Sequence, residues 1–318
     1  MIDILMILGG LVLLFFGGEG LIKGAVSLAR NFGLSKLLVS AVVVGFGTSM
    51  PEMTVSVGAA LKGASDIAIG NVVGSNIANI LLIIGVAAIL CPIFIAGAAV
   101  KRDTFVMLGA SLALCGLALT GMISLVAGIF MFIALIGYIL YSYNQDKKNG
   151  AETVQHIEED IEGEPHLSPP KAWVFALAGL GLLIGGAYIL VEGAVSIARG
   201  FGISEAVIGL TIVAVGTSLP ELATSVVAAL KKHSDVIIGN IVGSNIFNIL
   251  AILGITAMIS PIPIGMQIAS YDVWIMLGVA VFLSIYLLRG LTIGRVSGMA
   301  MLLAYCGYTA WLYTGGGA

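Results

Sequence analysis

Charge is scarce in this sequence. Asp, Glu, Lys and Arg make up 10% of the 318 residues, while 59% are hydrophobic. A water-soluble domain carries about a quarter of its residues as charges, so the mean hydropathy of +1.12 excludes water as the solvent and calls for lipid. The two-residue alternation of a barrel is also missing, which leaves helices as the structure that satisfies its own backbone in hydrocarbon. Only three cysteines occur, Cys91, Cys115 and Cys306. They form no metal-ligand pair and are expected to be free thiols beside or within the apolar segments. Phosphate loops, nucleophile-base pairs and a basic surface are lacking as well. That speaks against an enzyme, a bound cofactor or nucleic acid as a partner.

What the sequence has is long hydrophobic runs, each able to cross the ~30 Å hydrocarbon layer. Ten are predicted: 4–22, 37–61, 67–90, 104–121, 123–143, 172–191, 206–230, 236–260, 273–288 and 296–314. With Asp3 in place of a basic leader, the first is expected to stay as a helix. The 43 glycines suit helices that pack closely or break within the membrane.

The runs come in two copies. A shift of 169 positions lays GTSMPE (Gly47 to Glu52) on GTSLPE (Gly216 to Glu221), and residues 65–85 on residues 234–254 without a gap. Asp103 and Asp272 keep the same offset. The fold class expected is therefore an all-α membrane protein of ten transmembrane helices in two five-helix repeats, residues 1–143 and 171–318. An odd number of spans per copy turns the second copy over. With the amino terminus outside, 12 of the 14 Lys and Arg fall on the cytoplasmic side, leaving Lys62 and Arg199 outside. Both termini are then extracytoplasmic in an inner (plasma) membrane. Residues 144–170 form an acidic cytoplasmic linker, with Asp146 and six further acids among its 27 positions. A solvated connector is expected there, since no spacing of a calcium loop occurs.

An ionisable side chain within an apolar span demands a reason, and Glu52 and Glu221 are such residues. In each motif a proline, Pro51 or Pro220, denies a hydrogen bond to the carbonyl one turn earlier, near Gly47 or Gly216. Spans 2 and 7 are expected to break there, and spans 3 and 8 are also expected to be discontinuous. Thr48, Ser49 and Glu52, with Thr217, Ser218 and Glu221, then gather hydroxyls, carboxylate and loose carbonyls on one side of a broken helix. The second motif places Ser75 and Asn79, and likewise Ser244 and Asn248, one helical turn apart as neutral oxygen donors. Asn71 and Asn240 extend that face or tie neighbouring helices. Asn76 and Asn245 point elsewhere. If the copies meet at the midplane, two carboxylates and an all-oxygen shell suit Ca²⁺ better than Mg²⁺, which dehydrates reluctantly. The motifs hold no His or Cys for zinc or copper.

The doubled GTSMPE…GSNIAN and GTSLPE…GSNIFN segments resemble the two alpha-repeats of the calcium/cation antiporter superfamily, specifically sodium/calcium exchangers of prokaryotic type. The resemblance implies Ca²⁺ ligands at Glu52, Glu221 and the carbonyls of Thr48 and Thr217. It implies Na⁺ sites that share the glutamates and add Ser49, Ser75, Ser218, Ser244 and backbone oxygens of Gly45 and Ala214. Asn79 and Asn248 would line the middle. Some relatives carry Asp where this chain has Asn248, which speaks against dependence on K⁺, leaves a site charge of −2 and keeps proton coupling open. The expected activity is Ca²⁺ exchange for Na⁺ by alternating access, with Ca²⁺/H⁺ antiport as the alternative; a channel and a non-transporting scaffold are rivals of other classes. Glycine-rich spans 1 and 6 would slide as a gate, or meet only lipid. Glu19 is assigned no transport role. The expected partners are cations and lipid, with a single chain as the working unit.

Overall fold

The computed structural model describes residues 2–148, 167–201 and 214–313. The acidic run from Glu152 to Glu164 and the first part of the seventh predicted span lie outside the described residues. In chain order the helices are α1 (Ile2–Phe32), α2 (Lys36–Thr48), α3 (Met50–Leu61), α4 (Ser65–Leu90), α5 (Ala98–Ala118), α6 (Leu125–Lys148), α7 (Pro169–Gly200), α8 (Ala214–Thr217), α9 (Leu219–Leu230), α10 (Ser234–Ile259), α11 (Ile268–Arg289) and α12 (Arg295–Tyr313). Six of them, α1, α4, α6, α7, α10 and α11, are individually long and apolar enough to cross a membrane, and α2 with α3 forms a further span bent by 46°.

The most apolar stretch of α10 is wholly buried, and that of α4 is 78% buried, against 28% for α1, α6 and α7. Thus α4 and α10 lie at the centre and α1, α6 and α7 at the wall. The wall turns Leu8, Phe15, Phe130, Ile133, Leu140, Val174 and Leu177 outward. Apolar exposure on this scale is stable only against lipid, so the chain is a multi-pass integral membrane protein.

Element boundaries follow the sequence offset. Helix α3 and helix α9 differ by 169 at both ends, and so do α4 and α10. The first break falls at Ser49 (φ −82°, ψ 7°) and its counterpart at Ser218 (φ −90°, ψ 7°), each directly before the proline-containing first turn of the next helix. Proline stabilises a helix start because its missing N–H has no partner there in any case.

Spans 3 and 8 depart from expectation. They run through as single helices, α4 and α10, and accommodate their irregularity in π-helical turns at Asn79–Ile84 and Asn248–Leu253. Neither stretch contains a proline, so one extra residue in a turn widens the helix without breaking it. A similar π-helical turn, Ser40–Gly45, lies inside α2.

Helices α1 and α7 pack face to face along a glycine seam. On α1 the small residues fall at Gly10, Gly17 and Gly24, and on α7 at Gly179, Gly186 and Gly193, every seven residues in both. A Cβ on Gly10 would lie 2.7 Å from the Gly186 carbonyl oxygen, one on Gly17 would meet Leu183 N at 2.7 Å, and one on Gly24 the Ala172 oxygen at 2.8 Å. Partner numbers fall on α7 as they rise on α1, so the two helices are antiparallel. Their smooth faces meet each other rather than lipid alone, as small-residue helix interfaces do in membranes.

The helix of span 5 also extends further than expected, to Lys148, so Asp146 is helical and buried rather than part of a solvated connector. Asp146 accepts from the Ser35 N–H at 3.0 Å and from the Ser35 hydroxyl, and from Arg102 at 3.2 Å. Ser35 caps α2 by accepting from Leu38 N–H at 3.1 Å, so this cluster pins the entry of the broken span to α5 and α6. At the opposite ends of these helices, β1 (Met122–Ile123) pairs antiparallel with β2 (Ile262–Pro263).

Candidate cation site

The two broken helices place Glu52 in the first turn of α3 and Glu221 in the first turn of α9. Each is 1% exposed. The helix break turns the serine at the junction toward the other copy: Ser49 donates to Glu221 Oε1 at 3.0 Å, and Ser218 donates to Glu52 Oε1 at 3.1 Å. The second carboxylate oxygen of each, Oε2, is buried without a hydrogen-bond partner among the described residues. One hydrogen bond to a charged group contributes about 1.5–3 kcal/mol. Desolvating a carboxylate costs several kcal/mol, and the two repel each other. Hydroxyl contacts alone fall short of this cost, which makes the pair a candidate for neutralisation by a cation or by protons.

The surrounding groups repeat the exchange of partners. Asn71 Nδ2 donates to the Glu52 carbonyl at 3.1 Å and to Ser56 Oγ at 2.9 Å; Asn240 Nδ2 donates to the Glu221 carbonyl at 3.5 Å and to Ser225 Oγ at 3.2 Å. These two asparagines therefore hold the glutamate-bearing helices in place. Thr48 donates to Gly45 O and to Asn240 Oδ1, both at 3.3 Å. Ser244 donates to the same Gly45 oxygen at 3.2 Å, which joins the first broken helix to the second motif of the other copy. Ser75 is buried on α4, and its carbonyl accepts from the Asn79 N–H. Thr217 ends α8, and Ala214 begins it at the margin of the described chain.

Asn79 and Asn248 are each 1% exposed, and their Oδ1 atoms are also buried without partners. Four acceptor oxygens, two charged and two neutral, are thus left unmet, all from the repeated motifs. Native interiors rarely leave acceptors unpaired, which makes these four oxygens candidate ligands. Contrary to expectation, Asn76 and Asn245 do not turn away from this assembly: they receive the amide N–H groups of Asn248 and Asn79 at 2.9 and 3.0 Å. A helical wheel of one span misses this, because the contact comes from the crossing helix.

The sequence matches the family described as sodium/calcium exchanger protein over residues 2–144 and 171–314. The chain belongs to the sodium/calcium exchanger family. Among similar proteins are the putative antiporter CaxA of Alkalimonas amylolytica, 40% identical over 97% of this chain and 98% of its own length, and the sodium/calcium exchanger MaX1 of Methanosarcina acetivorans, 31% identical over 98% and 99%. The fold superposes on the sodium-calcium exchanger NCX_Mj soaked with Na⁺ and Sr²⁺ with a TM-score of 0.84, at 31% identity, covering 98% of both chains. As a member of a sodium/calcium exchanger family, the chain is a cation antiporter, and the oxygen-only character of its buried motifs fits that cargo. Among the described residues no group of three His, Cys, Asp or Glu is assembled; the oxygens gathered around the two glutamates belong to hydroxyls, amides and carbonyls. Oxygen groups of this kind are the ones that hard cations such as Ca²⁺ accept.

Proposed function

We propose that this exchanger moves Ca²⁺ against Na⁺ by alternating access, with both ions sharing one dry site built on Glu52 and Glu221. The observation that carries the reading is the set of four buried, unmet oxygens: Glu52 Oε2, Glu221 Oε2, Asn79 Oδ1 and Asn248 Oδ1. Thr48, Thr217, Ser49, Ser218, Ser75, Ser244 and the backbone oxygens of Gly45 and Ala214 complete the ligand set. One Ca²⁺ or several Na⁺ neutralises the two carboxylates, and the charged, empty site cannot be carried across. Exchange follows from that exclusion.

The exchanger then has ten spans in two inverted repeats and works as a single chain, with both termini outside and the linker in the cytoplasm. The antiparallel run of α1 against α7, helices at equivalent places in the two copies, supports the inversion. Their glycine seam offers a smooth surface along which the pair can shift against the core and open one side or the other.

Protons are the second candidate for the coupling ion, because a buried carboxylate pair short of donors accepts H⁺ as readily as Na⁺. Reconstituted vesicles loaded in turn with Na⁺, H⁺ and K⁺ gradients separate the two. Ca²⁺ uptake driven by outward Na⁺ at clamped pH is the expected result; uptake driven only by a pH gradient in sodium-free buffer replaces Na⁺ with H⁺.

A further inference from the structure

Asn76 and Asn245 follow the serines of the second motif by one residue and lie buried where α4 crosses α10. Each amide is anchored by a group that can only accept. Asn76 Nδ2 points at the Asn245 carbonyl, 3.4 Å away, and Asn245 Nδ2 at the Asn76 carbonyl, 3.5 Å away. Thioether sulfurs stand on the same side, Met276 Sδ at 3.7 Å from Asn76 Nδ2 and Met107 Sδ at 3.9 Å from Asn245 Nδ2. A carbonyl or thioether cannot donate, so the NH₂ end of each amide faces these groups and Oδ1 faces away. That oxygen then accepts from an amide of the other copy: Asn248 Nδ2 meets Asn76 Oδ1 at 2.9 Å, and Asn79 Nδ2 meets Asn245 Oδ1 at 3.0 Å. With their NH₂ groups engaged in this way, Asn248 and Asn79 turn their own oxygens to the opposite side, where both are buried and unmet.

We propose that Asn76 and Asn245 are positioning residues that fix the amide oxygens of Asn248 and Asn79 toward the transported cation. The inference rests on the reading of the cation site given above. An asparagine amide has two ends of similar size, and an inward NH₂ would repel a cation. The relay from backbone carbonyl to amide to amide removes that alternative. It also crosses the copies: α4 sets the orientation of a ligand on α10, and α10 sets one on α4. Neither half orients its own amide ligand.

A double-mutant cycle, read by Ca²⁺ binding to the purified full chain and by Ca²⁺ uptake into vesicles, tests this. N76A is expected to weaken apparent Ca²⁺ affinity about tenfold, the effect of one lost buried hydrogen bond to a ligand. Added to N248A, it is expected to cause no further loss, because the residue acts through Asn248. In an N248D background, where both oxygens of the carboxylate are equivalent, N76A is expected to cost less than about twofold. With N79A, whose partner is Asn245, the losses are expected to add. Equal losses from N76A in the wild-type, N248A and N248D backgrounds would overturn the relay, as would a silent N76A. If N76A does not purify as folded protein, N245A with N79A and N79D gives the same cycle from the other copy. E52Q and E221Q serve as controls: lost Ca²⁺ binding in them beside a silent N76A removes the relay alone, whereas normal binding in both removes the site and the relay together.

Discussion

Ser49 and Glu221 stand 172 positions apart, yet the hydroxyl of one donates to the carboxylate of the other at 3.0 Å. Ser49 has a glutamate of its own three residues on, and leaves it to Ser218. The crossing follows from the break at Ser49 and Ser218, which takes both serines out of helical register before the proline-started turns. The two breaks are consequently parts of one centre rather than two similar ones.

Loss of the Ser49 hydroxyl should therefore be felt at the other copy's acid. S49A and S218A are each expected to lower apparent Ca²⁺ affinity about five- to tenfold with the protein still folded, matching one hydrogen bond to a charged group. S49T, which keeps a hydroxyl, should retain most of it. Calcium titration of the purified variants measures this. Unchanged affinity in S49A would mean that the crossed contact contributes nothing to binding.

The seam between α1 and α7 predicts a sharp difference between neighbouring glycines. A Cβ on Gly17 would meet Leu183 backbone nitrogen at 2.7 Å, whereas nothing lies within 4 Å of one on Gly9. G17V should separate the helices, lower stability by about 1–3 kcal/mol and slow transport. G9A should leave both unaltered. Thermal unfolding in detergent, run beside vesicle flux, compares them.

Asp146 and Arg102 form a buried pair at 3.2 Å, with side-chain exposures of 5% and 12%. Asp146 also holds the capping serine of α2. Removing the acid takes one of two carboxylates from Arg102, which keeps Asp103 at 2.6 Å, and loosens the helix entry, so D146A is expected to destabilise by about 1–3 kcal/mol. D146N, which still accepts from Ser35, should lose less. A D146A protein as stable as the parent would show that the cluster contributes no net stability.

Much of the centre was legible in the sequence because its signals reinforce one another. Glu52 and Glu221 are acids in apolar spans, each follows a proline, and both recur at one offset. The breaks at Ser49 and Ser218 follow from Pro51 and Pro220. The π-helical turns after Asn79 and Asn248 were not legible, since an extra residue in a helical turn demands no special side chain. Asn76 and Asn245 were misplaced for a different reason: the face a residue presents on its own helix does not say which helix crosses behind it. Asp146 was hidden among acids that read as a solvated connector, and its partners Ser35 and Arg102 are set apart from it by whole spans. The glycine periodicity of α1 and α7 was visible, but only the packing shows that the two seams close on each other.

The central claim, that one pair of buried acids carries the exchanged cation, is met most directly by Na⁺-gradient-driven Ca²⁺ uptake in vesicles containing the parent chain, E52Q or E221Q at equal protein content. The account predicts uptake in the parent and none above empty vesicles in either variant, with both variants folded. Robust uptake in both would contradict it.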